Sequence, residues 1–87
     1  MLTGGYMKID ESVKQMLDGL GLSIKNLREK QKIGLQELSQ KTGIRKVYLR
    51  KIERGTAYGI LVERHLVLIA NALDVRFSEL LSYEEQI

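Results

Sequence analysis

The sequence predicts an all-α fold, a small bundle of short helices. Three observations carry that expectation. Apolar residues recur at helical spacing along most of the chain, and no stretch alternates in the manner of a strand. None of the 87 residues is proline, so the strongest helix breaker is missing. The most informative stretch, Leu35 to Gly55 (LQELSQKTGIRKVYLRKIERG), reads as two short helices joined by a tight turn at Thr42-Gly43-Ile44.

In chain order, Met1 to Tyr6 is Gly-rich and reads as a frayed start. Asp10 to Leu20 places Val13, Met16, Leu17 and Leu20 at i, i+3, i+4 and i+7, one apolar stripe on a helix. Asp10, Glu11 and Ser12 suit its beginning, and Gly19 and Gly21 suit its end. Such a helix caps the core or meets a second subunit; both readings stand. Ser23 is the expected N-cap of the next helix, which runs to about Lys32 with Ile24 and Leu27 inward and Arg28 beside that stripe. Gly34 breaks the chain. The helix from Leu35 to Lys41 turns Leu38 inward, and the small Ser39 allows a close neighbour. Gly43 suits the left-handed conformation of a sharp turn, with Ile44 plugging the space beneath.

The following helix, about Lys46 to Arg54, has Leu49 and Ile52 on its inner face and ends at Gly55. Thr56 to Leu61 is an irregular linker with an apolar tip. Val62 to Leu73 is helical again, with Leu66, Ile69, Ala70 and Leu73 facing the core. Phe77 to Tyr83 forms a last short helix carrying Phe77, Leu80 and Leu81. The expected organisation is therefore an N-terminal extension with a short helix (1–22), a helical domain (23–83) and a frayed tail (84–87).

Composition narrows the function. Without cysteine there is no disulfide or thiolate metal site. No apolar run approaches the ~18 residues that span a bilayer, and no signal-peptide pattern opens the chain, so a cytoplasmic location without membrane contact is expected. The net charge is only +3, but it is unevenly spread. Ser23 to Gly55 holds ten basic residues against three acidic; the remainder holds four against eight. The basic pole suits a polyanion, although a solvated charged face is the blander reading of composition alone. The helix from Lys46 decides between them: apolar inside and basic outside, braced across a glycine turn, it has the pattern of a helix-turn-helix whose second helix enters the DNA major groove.

These residues resemble the Cro and phage-repressor type (XRE) helix-turn-helix family over about Ser23 to Leu81. The most specific fragments are TGIRKVYLRKIERG, Thr42 to Gly55, and ANALDVRFSELL, Ala70 to Leu81. The resemblance implies a lambda-repressor-like five-helix bundle, with the N-terminal helix here as an addition. It implies core and turn roles for Leu38, Ser39, Thr42, Gly43, Ile44, Leu49 and Ile52. Arg45, Lys46, Val47, Arg50 and Lys51 match positions that face base edges, where Arg and Lys suit guanine and Val suits a thymine methyl; for Val47, the edge of the core is the competing reading. Tyr48 matches a phosphate-contacting position, and Arg54 and Gln36 join it as phosphate candidates. Arg28 and Glu53 match a buried structural ion pair.

Three features depart from the family pattern. Gly34-Leu35 stand where Thr-Gln is usual, with Gln36 one place later. Arg45 replaces the usual Ser cap of the recognition helix, at a cost of ~1 kcal/mol in capping. The linker after Gly55 is longer than usual and lacks the common Pro-Ser start of the next helix. Because that linker and the start of the last helix often meet a second subunit in the family, Tyr58, Ile60, Leu61 and Phe77 are dimer-interface candidates; folding back onto the core is their alternative.

His65, the single histidine, is expected at an exposed helix position. No nucleophile–base set or phosphate-cradling glycine loop is present, so no catalysis, cofactor or metal is expected. The favoured function is a homodimeric, sequence-specific regulator of transcription bound to double-stranded DNA, a repressor where it blocks polymerase and an activator where it recruits it. The rival is a protein-interaction module, antitoxin- or coactivator-like, with DNA binding secondary.

Overall fold

A computed structural model describes residues 11–59, 61 and 63–81. Expectations for Met1 to Asp10, Ile60, Val62 and residues 82–87 lie outside the described residues. Within them the fold is all-helical: α1 (Glu11–Lys30), α2 (Leu35–Thr42), α3 (Lys46–Glu53), α4 (Glu63–Leu73) and α5 (Phe77–Leu80). The core joins every helix, through Leu20 and Ile24 of α1, Leu38 of α2, Leu49 and Ile52 of α3, Leu66, Ile69, Ala70 and Leu73 of α4, and Leu80 of α5. Ile33 and Ala57, from the connecting segments, complete it.

The two helices expected before Gly34 are one. α1 runs unbroken for 20 residues through Gly19, Gly21 and Ser23, so there is no separate N-terminal helix, no helix end at Gly19–Gly21 and no N-cap at Ser23. Packing explains why. α3 reaches α1 at its own C-terminal end, and a Cβ on Gly21 would lie within 2.5 Å of the Glu53 carbonyl oxygen and also strike that of Ile52. Gly55, in the left-handed conformation that closes α3, fits equally closely against Asp18 of α1. Gly21 thus admits a neighbouring backbone, and the helix continues because α3 needs its surface. Ser23, facing inward, is buried and its hydroxyl has no hydrogen-bond partner among the described residues. Leu17 and Leu20 of the apolar stripe are buried, whereas Val13 and Met16 remain exposed.

Helix ends follow local backbone chemistry. Lys32 takes the left-handed position after α1 at φ 59°, and Ile33 N–H donates to the Arg28 carbonyl at 3.1 Å. Asp74 does the same after α4 at φ 57°, with Val75 N–H donating to Ala70 O at 3.0 Å. After α3, Thr56 N–H donates to Lys51 O at 2.9 Å and Gly55 N–H to Ile52 O at 3.1 Å. All three are Schellman closures, in which left-handed residues let the last carbonyls find donors. At the start of α5 the Glu79 carboxylate accepts from Arg76 N–H at 2.8 Å, half of a capping box.

One ion pair joins α1 to α3. Arg28 Nε and Nη2 donate to Glu53 Oε2 and Oε1 at 2.7 and 3.0 Å, and Arg28 Nη1 donates to the Ile33 carbonyl at 2.8 Å. Both side chains are largely shielded from solvent. The bond to Glu53 holds the guanidinium pKa above its already high ordinary value, outweighing the opposing effect of burial. Arg28 therefore stays charged wherever the protein folds. Gln31 Nε2 adds a tie from the end of α1 to the Leu73 carbonyl of α4 at 2.6 Å.

Three stability changes follow, each read by urea denaturation. Gly21→Ala lowers stability by about 2 kcal/mol despite the better helix propensity of alanine, because backbone must move; a gain would mean α1 and α3 are not in contact there. Ser23→Ala raises stability by about 1 kcal/mol by removing an unpaired buried hydroxyl, and a loss would reveal a partner for it. Glu53→Ala costs about 3–5 kcal/mol by stranding Arg28, and the Arg28→Ala/Glu53→Ala double variant loses clearly less than the two single losses combined. Simple additivity would show that the pair is not coupled.

Candidate nucleic-acid interface

The turn between α2 and α3 is locked by side chains. Thr42 Oγ1 donates to Leu38 O at 2.8 Å and accepts from Ile44 N–H at 3.0 Å. Ser39 Oγ donates to Ile44 O at 2.6 Å. Gly43, at φ 77°, donates its N–H to Ser39 O at 2.8 Å. Ser39 was expected to matter for its size; its hydroxyl also closes the turn. Ile44 is buried beneath it.

α3 is thereby fixed at both ends, by this turn and by Glu53. Leu49 and Ile52 fill its inner face. Arg45, Lys46, Val47, Tyr48, Arg50, Lys51 and Arg54 are all exposed. Val47 has 49% of its surface open, so it is not part of the core edge. Among the described residues none of the five basic side chains in this set makes an ion pair with a carboxylate. Arg45 is the N-cap but makes no side-chain capping bond, and no acid sits in the first turn of α3. The positive end of the helix dipole therefore adds to the basic surface. Gln36 is exposed in the first turn of α2.

The remaining candidates are distributed around the bundle. Tyr58 is exposed, while Leu61 and Phe77 are half-buried and pack against the core. His65 is half-buried rather than exposed. Met16, Leu17, Leu20, Leu61, Leu66 and Leu81 line an apolar groove of 380 Å³ between α1 and the α4–α5 end, with Glu63 at its edge. Sequence reasoning named Met16 and Leu81 only as stripe residues; their exposure in one groove is a tertiary fact. Among the described residues no helix is long and apolar enough to cross a membrane, and no cluster of His, Asp and Glu could hold a metal ion.

A solved structure shares this arrangement. The restriction-modification controller protein C.AhdI from Aeromonas hydrophila, known from a high-resolution crystal structure, aligns with a TM-score of 0.69 at 25% sequence identity, over 74% of this chain and 94% of that one. No curated protein sequence matches the chain. Residues 24–80 match the helix-turn-helix family model. With α2, its locked turn and the exposed basic α3 all inside that match, the chain belongs to the XRE-type helix-turn-helix family of DNA-binding transcription regulators.

Proposed function

We propose that the protein recognises a specific double-stranded DNA sequence with α3 in the major groove, and that it does so as a homodimer, as a repressor in the cytoplasm. The observation that carries this reading is the division of α3 into a buried apolar face and an exposed face whose basic residues make no ion pair with a carboxylate among the described residues. Arg45, Lys46, Val47, Arg50 and Lys51 are assigned to base edges, and Gln36, Tyr48 and Arg54 to phosphates. Arginine and lysine suit guanine O6 and N7, and the exposed Val47 suits a thymine methyl. Phosphate contacts supply attraction that falls with salt, and base contacts supply the choice of site. The role is binding, and no catalytic step is assigned.

One such module covers little DNA, so a two-fold pair on half-sites about one helical turn apart, roughly 34–36 Å, gains both affinity and specificity. The apolar groove of Met16, Leu20, Leu61 and Leu81 supports a second copy as its occupant, with exposed Tyr58 as a further candidate contact. The same groove favours the rival reading, in which a partner protein docks there and DNA contact is secondary. A mobility shift on random duplex at two salt concentrations separates the two: binding that collapses as salt rises supports DNA contact, whereas no binding at low salt favours the protein partner.

On a duplex selected from a random pool, replacing both Arg50 and Lys51 by alanine weakens binding by about tenfold or more, from the loss of base contacts of about 1–3 kcal/mol each. Far-UV circular dichroism stays unchanged, since both side chains are exposed. Unchanged affinity for the selected site would remove α3 as the reading helix.

A further inference from the structure

A second cleft lies on the other side of α4, where its first turns meet the α2–α3 turn. Arg45, Tyr48, Arg64 and His65 line it around Thr42 and Ile44, in a volume of 420 Å³. Among the described residues no carboxylate lines it. Neither Arg45 nor Arg64 makes an ion pair among the described residues. The first turn of α4 sorts its charges between the two sides: Glu63 borders the apolar groove, while Arg64 and His65 border this cleft. Two guanidinium groups gathered around one concavity, without an acid to neutralise them, make a receptor for an oxyanion. Guanidinium forks match phosphate oxygens, and a phenol hydroxyl adds a further donor.

We propose that this cleft holds one phosphate group of the DNA backbone, clamped by Arg64 of α4 and Arg45 at the start of α3, with the Tyr48 hydroxyl as third donor. The proposal rests on the DNA-binding reading above and extends it to a helix that sequence reasoning assigned to the core alone. The cleft shares Arg45 and Tyr48 with the exposed face of α3. When α3 lies in a major groove, what flanks that groove on each side is sugar-phosphate backbone. This moves one residue, Arg45, from the base edge assigned to it above to the backbone, and leaves Lys46, Val47, Arg50 and Lys51 to the bases; it accounts for an arginine at an N-cap where it makes no capping bond. Arg64 becomes a positioning contact: it sets how deeply α3 sits without reading sequence.

The test compares wild type, Arg64→Gln and an equal charge loss at Arg76→Gln, the N-cap of α5, on the selected duplex across a salt series. The expected result is that Arg64→Gln flattens the plot of log affinity against log salt by about 0.9, the value of one lost phosphate contact. It also lowers affinity for every duplex by the same factor, leaving their ranking intact, while Arg76→Gln leaves the slope unchanged. Arg64→Gln behaving like Arg76→Gln, with wild type still binding and Arg50 and Lys51 still required, overturns this inference alone. Failure of wild type to bind any duplex overturns the DNA reading itself. Inorganic phosphate is then titrated into the free protein at constant ionic strength and followed by amide NMR. Saturable shifts at residues 43–48 and 64–65 together with an unchanged Arg64→Gln salt slope would assign the cleft to a free phosphate ligand and overturn the DNA assignment; a flattened slope upholds it whether or not free phosphate binds.

Discussion

The orientation of α3 depends on what Arg28 does with its three directions of hydrogen bonding. Two donors grip Glu53 at the end of α3, and a third holds the Ile33 carbonyl in the chain leaving α1. One side chain thereby fixes the end of α1, the connection into α2 and the far end of the basic helix. A buried pair of this kind adds little net stability over an apolar substitute. It does add direction. Apolar contacts at Leu49 and Ile52 would tolerate a small rotation of α3 about its axis, whereas a two-toothed carboxylate–guanidinium contact would not. Base-edge contacts demand that kind of angular definition.

The backbone contacts at Gly21 and Gly55 serve the same end. With no Cβ at either position, the last turn of α3 settles directly onto α1 near Asp18 and Gly21. At the opposite end, the hydroxyls of Ser39 and Thr42 hold the turn to Ile44 from both sides. An eight-residue helix is too short to be stable alone. Here it is held by the core behind it, a hydroxyl-braced turn before it and a charge clamp after it, so its outer surface is free of structural duty.

Most of the bundle was legible from residue spacing, because Leu38, Leu49, Ile52, Leu66, Ile69, Ala70 and Leu73 sit on helix faces whose period survives without tertiary knowledge. The turn was legible because Gly43 has a local reason to be there. The misreading at Gly19, Gly21 and Ser23 has the opposite cause. A glycine that ends a helix and a glycine that lets another backbone approach look alike in one dimension, and only the position of α3 separates them. The apolar stripe from Leu17 through Leu20 to Ile24 and Leu27 did run across the supposed break, and that continuity was the better signal. Lys32 and Asp74, which close α1 and α4 in left-handed conformations without being glycine, gave no such notice. Ile33 and Ala57 escaped because connecting segments have no period to read. On the site, the basic face of α3 followed from sequence; the cleft that adds Arg64 and His65 did not, since it exists only where α4 crosses the turn.

These features combine in the charge of α3 itself. The helix carries a single acidic residue, Glu53, and the fold draws that residue inward to Arg28. The clamp that orients the helix therefore also withdraws its one negative charge from the surface. Had Glu53 faced outward, it would have neutralised Arg50, one turn away, through a local pair and repelled phosphate. Instead the acids that balance the chain lie mostly outside residues 23–55, and among the described residues the basic side chains facing outward from α3 make no ion pair with a carboxylate. Such a surface is unfavourable in the free protein, where like charges crowd together, and becomes favourable when a polyanion binds it and releases its condensed counterions to solvent. In the proposed role of α3, the burial of one glutamate is thus the step at which structural stabilisation and nucleic-acid affinity stop competing for the same helix.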